Sequence, residues 1–85
     1  MKNLSSAQIR AARALIRWSA SDLARVSAVG VTTIRRAELM ENETTMTAAN
    51  NSAVRRALEG AGVEFIDENG GGPGVRLRNR LKETK

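Results

Sequence analysis

Thr32, Arg35 and Arg36 stand three and four residues apart in the stretch Val31-Thr-Thr-Ile-Arg-Arg-Ala-Glu-Leu-Met40. On a helix that spacing gathers the three side chains on one side. A hydroxyl, a methyl and two guanidinium groups set this way suit the floor of a DNA major groove. Arg35 there can grip guanine N7 and O6 with two parallel hydrogen bonds, for about 1–3 kcal/mol of discrimination against other bases. Val31 and Thr32 can meet thymine methyls or offer a hydroxyl, and Arg36 can meet a phosphate or acidic neighbours on its own helix. The rest of the inventory argues against catalysis. The chain has no cysteine, histidine or tyrosine, so thiolate ligands and the commonest general base and metal ligand are missing. Its serines, threonines and carboxylates are not spaced as a nucleophile with its base. The expectation is a protein that is not an enzyme and needs neither cofactor nor metal.

The bulk composition agrees with a polyanionic partner. Fourteen basic residues against nine acidic ones leave a net charge of +5 over 85 residues, which suggests nucleic acid. Composition alone leaves an arginine-rich solvated surface as an equal explanation. The two aromatic residues, Trp18 and Phe65, are too few for a base-stacking platform, which favours duplex DNA over single-stranded RNA. No apolar run approaches the ~18 residues of a membrane span, and no signal peptide is visible. A cytoplasmic protein is expected. A chain of this length builds a modest core, and many such domains gain stability by dimerising.

Several elements are needed to hold those side chains in place. From Ser6 to Trp18, Ile9, Ala12 and Ile16 recur at helical spacing, with Ala11, Ala14, Leu15 and Trp18 alongside, and Ser5 or Ser6 as cap. Residues 1–4 read as a frayed start. Ser19 with Asp22 forms a looser capping box that opens a short helix to about Ser27, with Leu23, Ala24 and Val26 inward. Ala28, Val29 and Gly30 form a turn. A third helix runs from Val31 to about Met40 on Ile34 and Ala37. Glu41 to Met46 reads as a loop. Thr47 caps a fourth helix to about Gly60, with Val54, Ala57 and Leu58 inward and Arg55 and Arg56 outward. The period then changes. Val63, Phe65 and Asp67 alternate with Glu64 and Ile66, and Val75-Arg-Leu-Arg78 alternates again. Across the glycine-rich loop 69–74 they make a hairpin. Asn79 to Lys85 reads as a disordered tail.

Other residues carry weaker signals. Gly30 stands where a helix cap is needed, and its missing side chain lets backbone amides approach a phosphate; a plain turn glycine explains it equally well. Arg17, Arg25, Arg55 and Arg56 are candidate phosphate contacts, each no stronger than a solvated arginine. Arg76 and Arg78 share one strand face, as a basic stripe or as charges that discourage stray pairing at an edge strand.

The helix, turn and helix of residues 19–38 resemble the Cro/C1-repressor type of helix-turn-helix regulators, the XRE family. The residues that carry the resemblance are Arg13, Trp18-Ser19, Asp22-Leu23-Ala24, Val29, Thr33-Ile34 and Glu38, within residues 6–60. Residues 61–78 resemble the ending of many small bacterial members. The resemblance implies DNA contacts at Gly30, Val31, Thr32, Arg35 and Arg36, a structural ion pair between Arg13 and Glu38, and dimers on near-palindromic sites. Val75 and Leu77, on the last strand, are then the candidate dimer surface. The chain departs from the family pattern at Ala20, where glutamine is usual, and at Ala28-Val29-Gly30, where Gly-Val-Ser is usual. It departs again at Leu39, where glycine usually follows the glutamate.

The expected fold is therefore mainly α. It is a lambda-repressor-like helix-turn-helix bundle of about four helices with a C-terminal β-hairpin or strand. Residues 1–62 form the DNA-binding domain, 63–78 a β extension for dimerisation, and 79–85 the tail. The expected function is sequence-specific binding of double-stranded DNA as a homodimeric transcriptional regulator. The alternative is a degenerate helix-turn-helix that binds a protein, as an antitoxin or antiactivator does.

Overall fold

Ser5 begins the first ordered helix. Its hydroxyl accepts a hydrogen bond from the Gln8 backbone N–H at 3.0 Å, and the Gln8 side chain accepts from the Ser5 N–H at 3.0 Å. This reciprocal box satisfies two amides that a helix start would leave unpaired. In the computed structural model, which describes residues 3–41 and 44–79, α1 spans Ser6–Ile16. It ends earlier than the apolar pattern predicts because Arg17 turns left-handed, with φ 58°. The Arg17 N–H then reaches the Ala14 carbonyl and the Trp18 N–H reaches the Arg13 carbonyl, the double closure of a Schellman turn. The buried stripe of α1 is narrow, running through Ser6, Gln8, Ile9 and Ala12. Ala11, Ala14 and Leu15, expected beside it, face solvent.

α2 spans Ala20–Ser27, opened by Ser19 and Asp22 in a second capping box with bonds of 3.0 and 2.9 Å. Leu23 is fully buried. Val26, expected inward, is 48% exposed. Ala20, Ala24 and Ser27 all project to one side of Leu23 on the helical wheel, and Val26 falls on the other. The turn after α2 takes three residues. Ala28 is left-handed at φ 60°, and Val29 is buried. The Ser27 hydroxyl donates to the Leu23 carbonyl at 2.6 Å and accepts from the Val29 N–H at 3.3 Å, tying the turn to the helix behind it.

α3 spans Val31–Glu38 and buries Ile34 and Ala37. It stops at Glu38, with Leu39 as its cap, two residues before the expected end. α4 spans Ala48–Gly60, with the Thr47 hydroxyl accepting from the Asn50 N–H at 3.1 Å, and buries Asn51, Val54 and Leu58. β1 (Val63–Ile66) and β2 (Gly74–Leu77) pair antiparallel, with Val63 opposite Leu77 and Ile66 opposite Gly74. Val63 and Phe65 face the core from β1, and Asp67 lies exposed beyond the strand. The hairpin packs on α1 and α4. Leu4, Ile9, Leu23, Ile34, Val54, Leu58 and Val63 fill the centre. The described residues thus form a mainly helical bundle of four helices with a C-terminal hairpin.

Residues 3–4 correct the expectation of a frayed start over 1–4, of which residues 1–2 lie outside the described residues. Leu4 is only 2% exposed. Its N–H donates to Asn51 Oδ1 at 2.9 Å, and its carbonyl accepts from the Thr44 N–H at 3.2 Å. Asn3 Nδ2 donates to the carbonyls of Thr44 and Met46 at 3.0 and 2.8 Å. Residues 3–4 therefore strap the segment between α3 and α4 to the bundle. The expected disordered tail falls, apart from exposed Asn79, outside the described residues.

Candidate nucleic-acid interface

α3 has two faces with different tasks. Ile34 and Ala37 anchor it, three residues apart and buried. The rotation that buries them turns Thr32, Arg35 and Arg36 to solvent. Val31 is half-buried and Gly30 exposed. Arg35 and Arg36 make no hydrogen bond or ion pair with the described residues, so their guanidinium donors face water. Gly30 caps α3 with φ −57° and ψ 141° and supplies no side-chain bond to the first amides. Those amides lie at the positive end of the helix dipole, which favours an anion there. A Cβ placed on Gly30 would come no closer than 4.0 Å to the Thr33 hydroxyl, so the glycine is not there for lack of space.

An ion pair ties the end of α3 to α1. Arg13 Nε donates to Glu38 Oε2 at 2.6 Å and a terminal nitrogen donates to Oε1 at 2.8 Å. The other terminal nitrogen donates to the Trp18 carbonyl at 2.8 Å. One guanidinium thus joins α1, the α1–α2 connection and the end of α3. The side chains are 22% and 10% exposed. The Glu38 hydrogen bonds hold the Arg13 pKa above its ordinary value.

Not every candidate arginine is available. Arg17 is exposed at the end of α1, immediately before α2. Arg25 is exposed but leans on Asp22 at 3.2 Å. Arg56 is exposed and reaches the Ser52 hydroxyl at 3.3 Å. Arg55, expected to face outward, is turned inward instead. Its guanidinium lies 5.2 Å from the centre of the Phe65 ring and donates to Glu59 at 3.1 Å. Docking of the hairpin on α4 supplies the aromatic face that draws it in. Arg76 pairs with Glu64 across the hairpin at 3.0 Å, and Arg78 reaches the Glu59 carbonyl at the end of α4 at 3.0 Å. Both hairpin arginines are thereby engaged within their own chain. Val75 and Leu77 are half-buried, and Val75 packs against the core cluster.

The tertiary structure brings residues beside α3 that the sequence does not assign to this surface; Thr47 reads in the sequence only as a helix cap. Thr45, Thr47 and Asn50 share a groove with Thr33, Arg36 and Met40. Two of these are hydroxyls from the α3–α4 connection, whose Thr44 and Met46 the N-terminal strap holds. Among the described residues no three His, Cys, Asp or Glu are grouped to hold a metal ion, and no helix is long and apolar enough to cross a membrane. The chain matches no protein-family model, and no curated protein matches it.

Proposed function

We propose that this protein is a sequence-specific, double-stranded DNA-binding transcriptional regulator of the Cro/C1-repressor (XRE) type, acting in the cytoplasm without a cofactor. The observation that carries the reading is the geometry of α2 and α3. A three-residue turn joins them, Ile34 and Ala37 anchor the second helix, and Thr32, Arg35 and Arg36 stand exposed on its open side, without a partner among the described residues. In this reading α3 enters the major groove. Thr32, with Val31 at the edge, and Arg35 read bases. Arg36, Arg17 and the amides after Gly30 hold phosphates.

The regulator acts as a homodimer on a near-palindromic operator. In the antiparallel register the Arg78 N–H bonds to the Gly62 carbonyl, so the backbone groups of Val75 and Leu77 point away from β1. That edge, which pairs with no strand among the described residues, supports pairing with a second copy.

Binding to the DNA upstream of its own gene, compared with random DNA of equal length at two salt concentrations, tests the proposal. A preference of ~10³-fold or more that survives physiological salt supports it. Equal and salt-labile binding to both rejects it. One observation favours a second reading. Leu39 is 84% exposed at the end of α3, where an apolar side chain serves a protein partner better than a phosphate backbone. A protein-binding module, antitoxin or antiactivator, would retain its partner when Arg35 is removed and lose it when Leu39 is made polar.

A further inference from the structure

The turn between β1 and β2 holds the one Asn-Gly pair of the chain, Asn69-Gly70. Residues 67–73 are all exposed. The backbone bond recorded within the turn is a long one, from the Asn69 N–H to the Gly71 carbonyl at 3.4 Å. The Asn69 side chain makes no hydrogen bond with the described residues. Gly70 has φ +85°, and around Gly70, Gly71 and Gly72 nothing lies within 4 Å of where a Cβ would stand. Three consecutive residues without side chains leave the backbone free to rotate and leave water free to enter.

We propose that Asn69 is a site of spontaneous, enzyme-free deamidation in the folded protein. The Gly70 backbone nitrogen loses its proton and attacks Cγ of Asn69. The N–Cγ bond forms, the Cγ–Nδ2 bond breaks, and Nδ2 leaves as ammonia. Water then adds to one carbonyl of the resulting five-membered succinimide. Opening at Cγ yields aspartate, and opening at the backbone carbonyl yields isoaspartate. One water is consumed and one ammonia released, with no oxidant or reductant. The glycine matters because a side chain on residue 70 would crowd the attacking nitrogen. The product places a third carboxylate beside Asp67 and Glu68 and lowers the net charge from +5 to +4. Isoaspartate also lengthens the backbone of the hairpin turn by one carbon.

Exposed Asn79 is followed in sequence by arginine, not glycine, so a side chain crowds the attacking nitrogen, and Asn3, Asn50 and Asn51 are held differently. Asn50 and Asn51 lie within α4, whose backbone angles keep the next nitrogen away from the side-chain carbon. Asn51 is also buried and bonded to the Leu4 N–H, and Asn3 donates to two carbonyls.

The test ages the intact protein at neutral and alkaline pH and follows each asparagine by peptide mass spectrometry, with isoaspartate detected by enzymatic methylation. The expected result is a gain of about one dalton at residue 69 ahead of every other asparagine. It forms faster as hydroxide rises and at a rate within about tenfold of the same sequence as a free peptide. Gly70→Ala should slow it, and Asn69→Gln should abolish it. Asn69→Gln lies in open space; Gly70→Ala strains the turn at φ +85°, so its fold is checked by thermal unfolding and its rate is read against a free Asn-Ala peptide. Protection of Asn69 well beyond tenfold relative to the peptide, earlier reaction elsewhere, or an unchanged rate in Gly70→Ala would overturn the proposal.

Discussion

Arg13 and Glu38, twenty-five positions apart in the chain, meet through two hydrogen bonds of 2.6 and 2.8 Å, and this contact ties the end of α3 to α1. Replacing Glu38 with alanine strands a guanidinium that is mostly covered and removes both bonds. Glu38→Ala is expected to destabilise the fold by about 2–3 kcal/mol. Urea unfolding measures this, and a loss within experimental error would mean that the pair is incidental to the helix angle.

Ala28 is a second point of leverage, and it has the opposite sign. At φ 60° its Cβ crowds the backbone, a conformation that glycine takes without strain. Ala28→Gly should raise stability by roughly 0.5–1 kcal/mol, because relief of strain exceeds the added freedom of the unfolded chain. Thermal unfolding at fixed pH decides it. A lower midpoint would show that other contacts of the alanine methyl outweigh the strain.

The N-terminal strap makes a prediction that a frayed start would not. Asn51→Ala leaves the buried Leu4 N–H without its acceptor, at a cost of about 1–3 kcal/mol. Hydrogen exchange at Leu4 and Thr44 should accelerate together in this variant. Unchanged protection at Thr44 would separate the strap from the α3–α4 connection.

Acid stability follows from two exposed carboxylates. Asp22 is held below its ordinary pKa of 3.8 by the Ser19 backbone N–H, then by the Ser19 hydroxyl and Arg25. Glu64 is held below 4.5 by its hydrogen bond and charge pairing with Arg76. A depressed folded-state pKa contributes stability above the unfolded value and loses it as pH falls through the folded one. Stability should therefore begin to decline near pH 4.5 and continue below 3.8. Asp22→Asn and Glu64→Gln should each flatten that decline in pH-dependent unfolding, and high salt should reduce the Glu64 contribution. A variant with the same acid slope as the parent would contradict the assignment.

On DNA, Arg35→Ala and Arg17→Ala should separate reading from holding. The first should relax sequence preference by about 1–3 kcal/mol at one position. The second should weaken specific and random DNA alike and reduce the salt slope by about one. Equal losses on both DNAs for Arg35→Ala would remove it from base recognition.

Local chemistry made much of this molecule legible in advance. Ser19 with Asp22 marks a helix start because a hydroxyl and a carboxylate three residues apart can satisfy each other's backbone amides. Thr47 marks another, Ile34 and Ala37 fix which side of α3 is buried, and alternating residues around a glycine-rich turn make a hairpin. All these signals act within a few residues, so the chain alone determines them. Tertiary structure decided the rest. Arg55 is an outward residue on the α4 wheel until the hairpin brings Phe65 beneath it. Val26 is an inward residue by type and an outward one by packing, because only α2's Leu23 side is covered. Leu4 and Asn3 lack any local pattern and are ordered by partners forty or more positions away. Contacts over that separation depend on where the folded bundle places its surfaces, and no window of neighbouring residues contains that information.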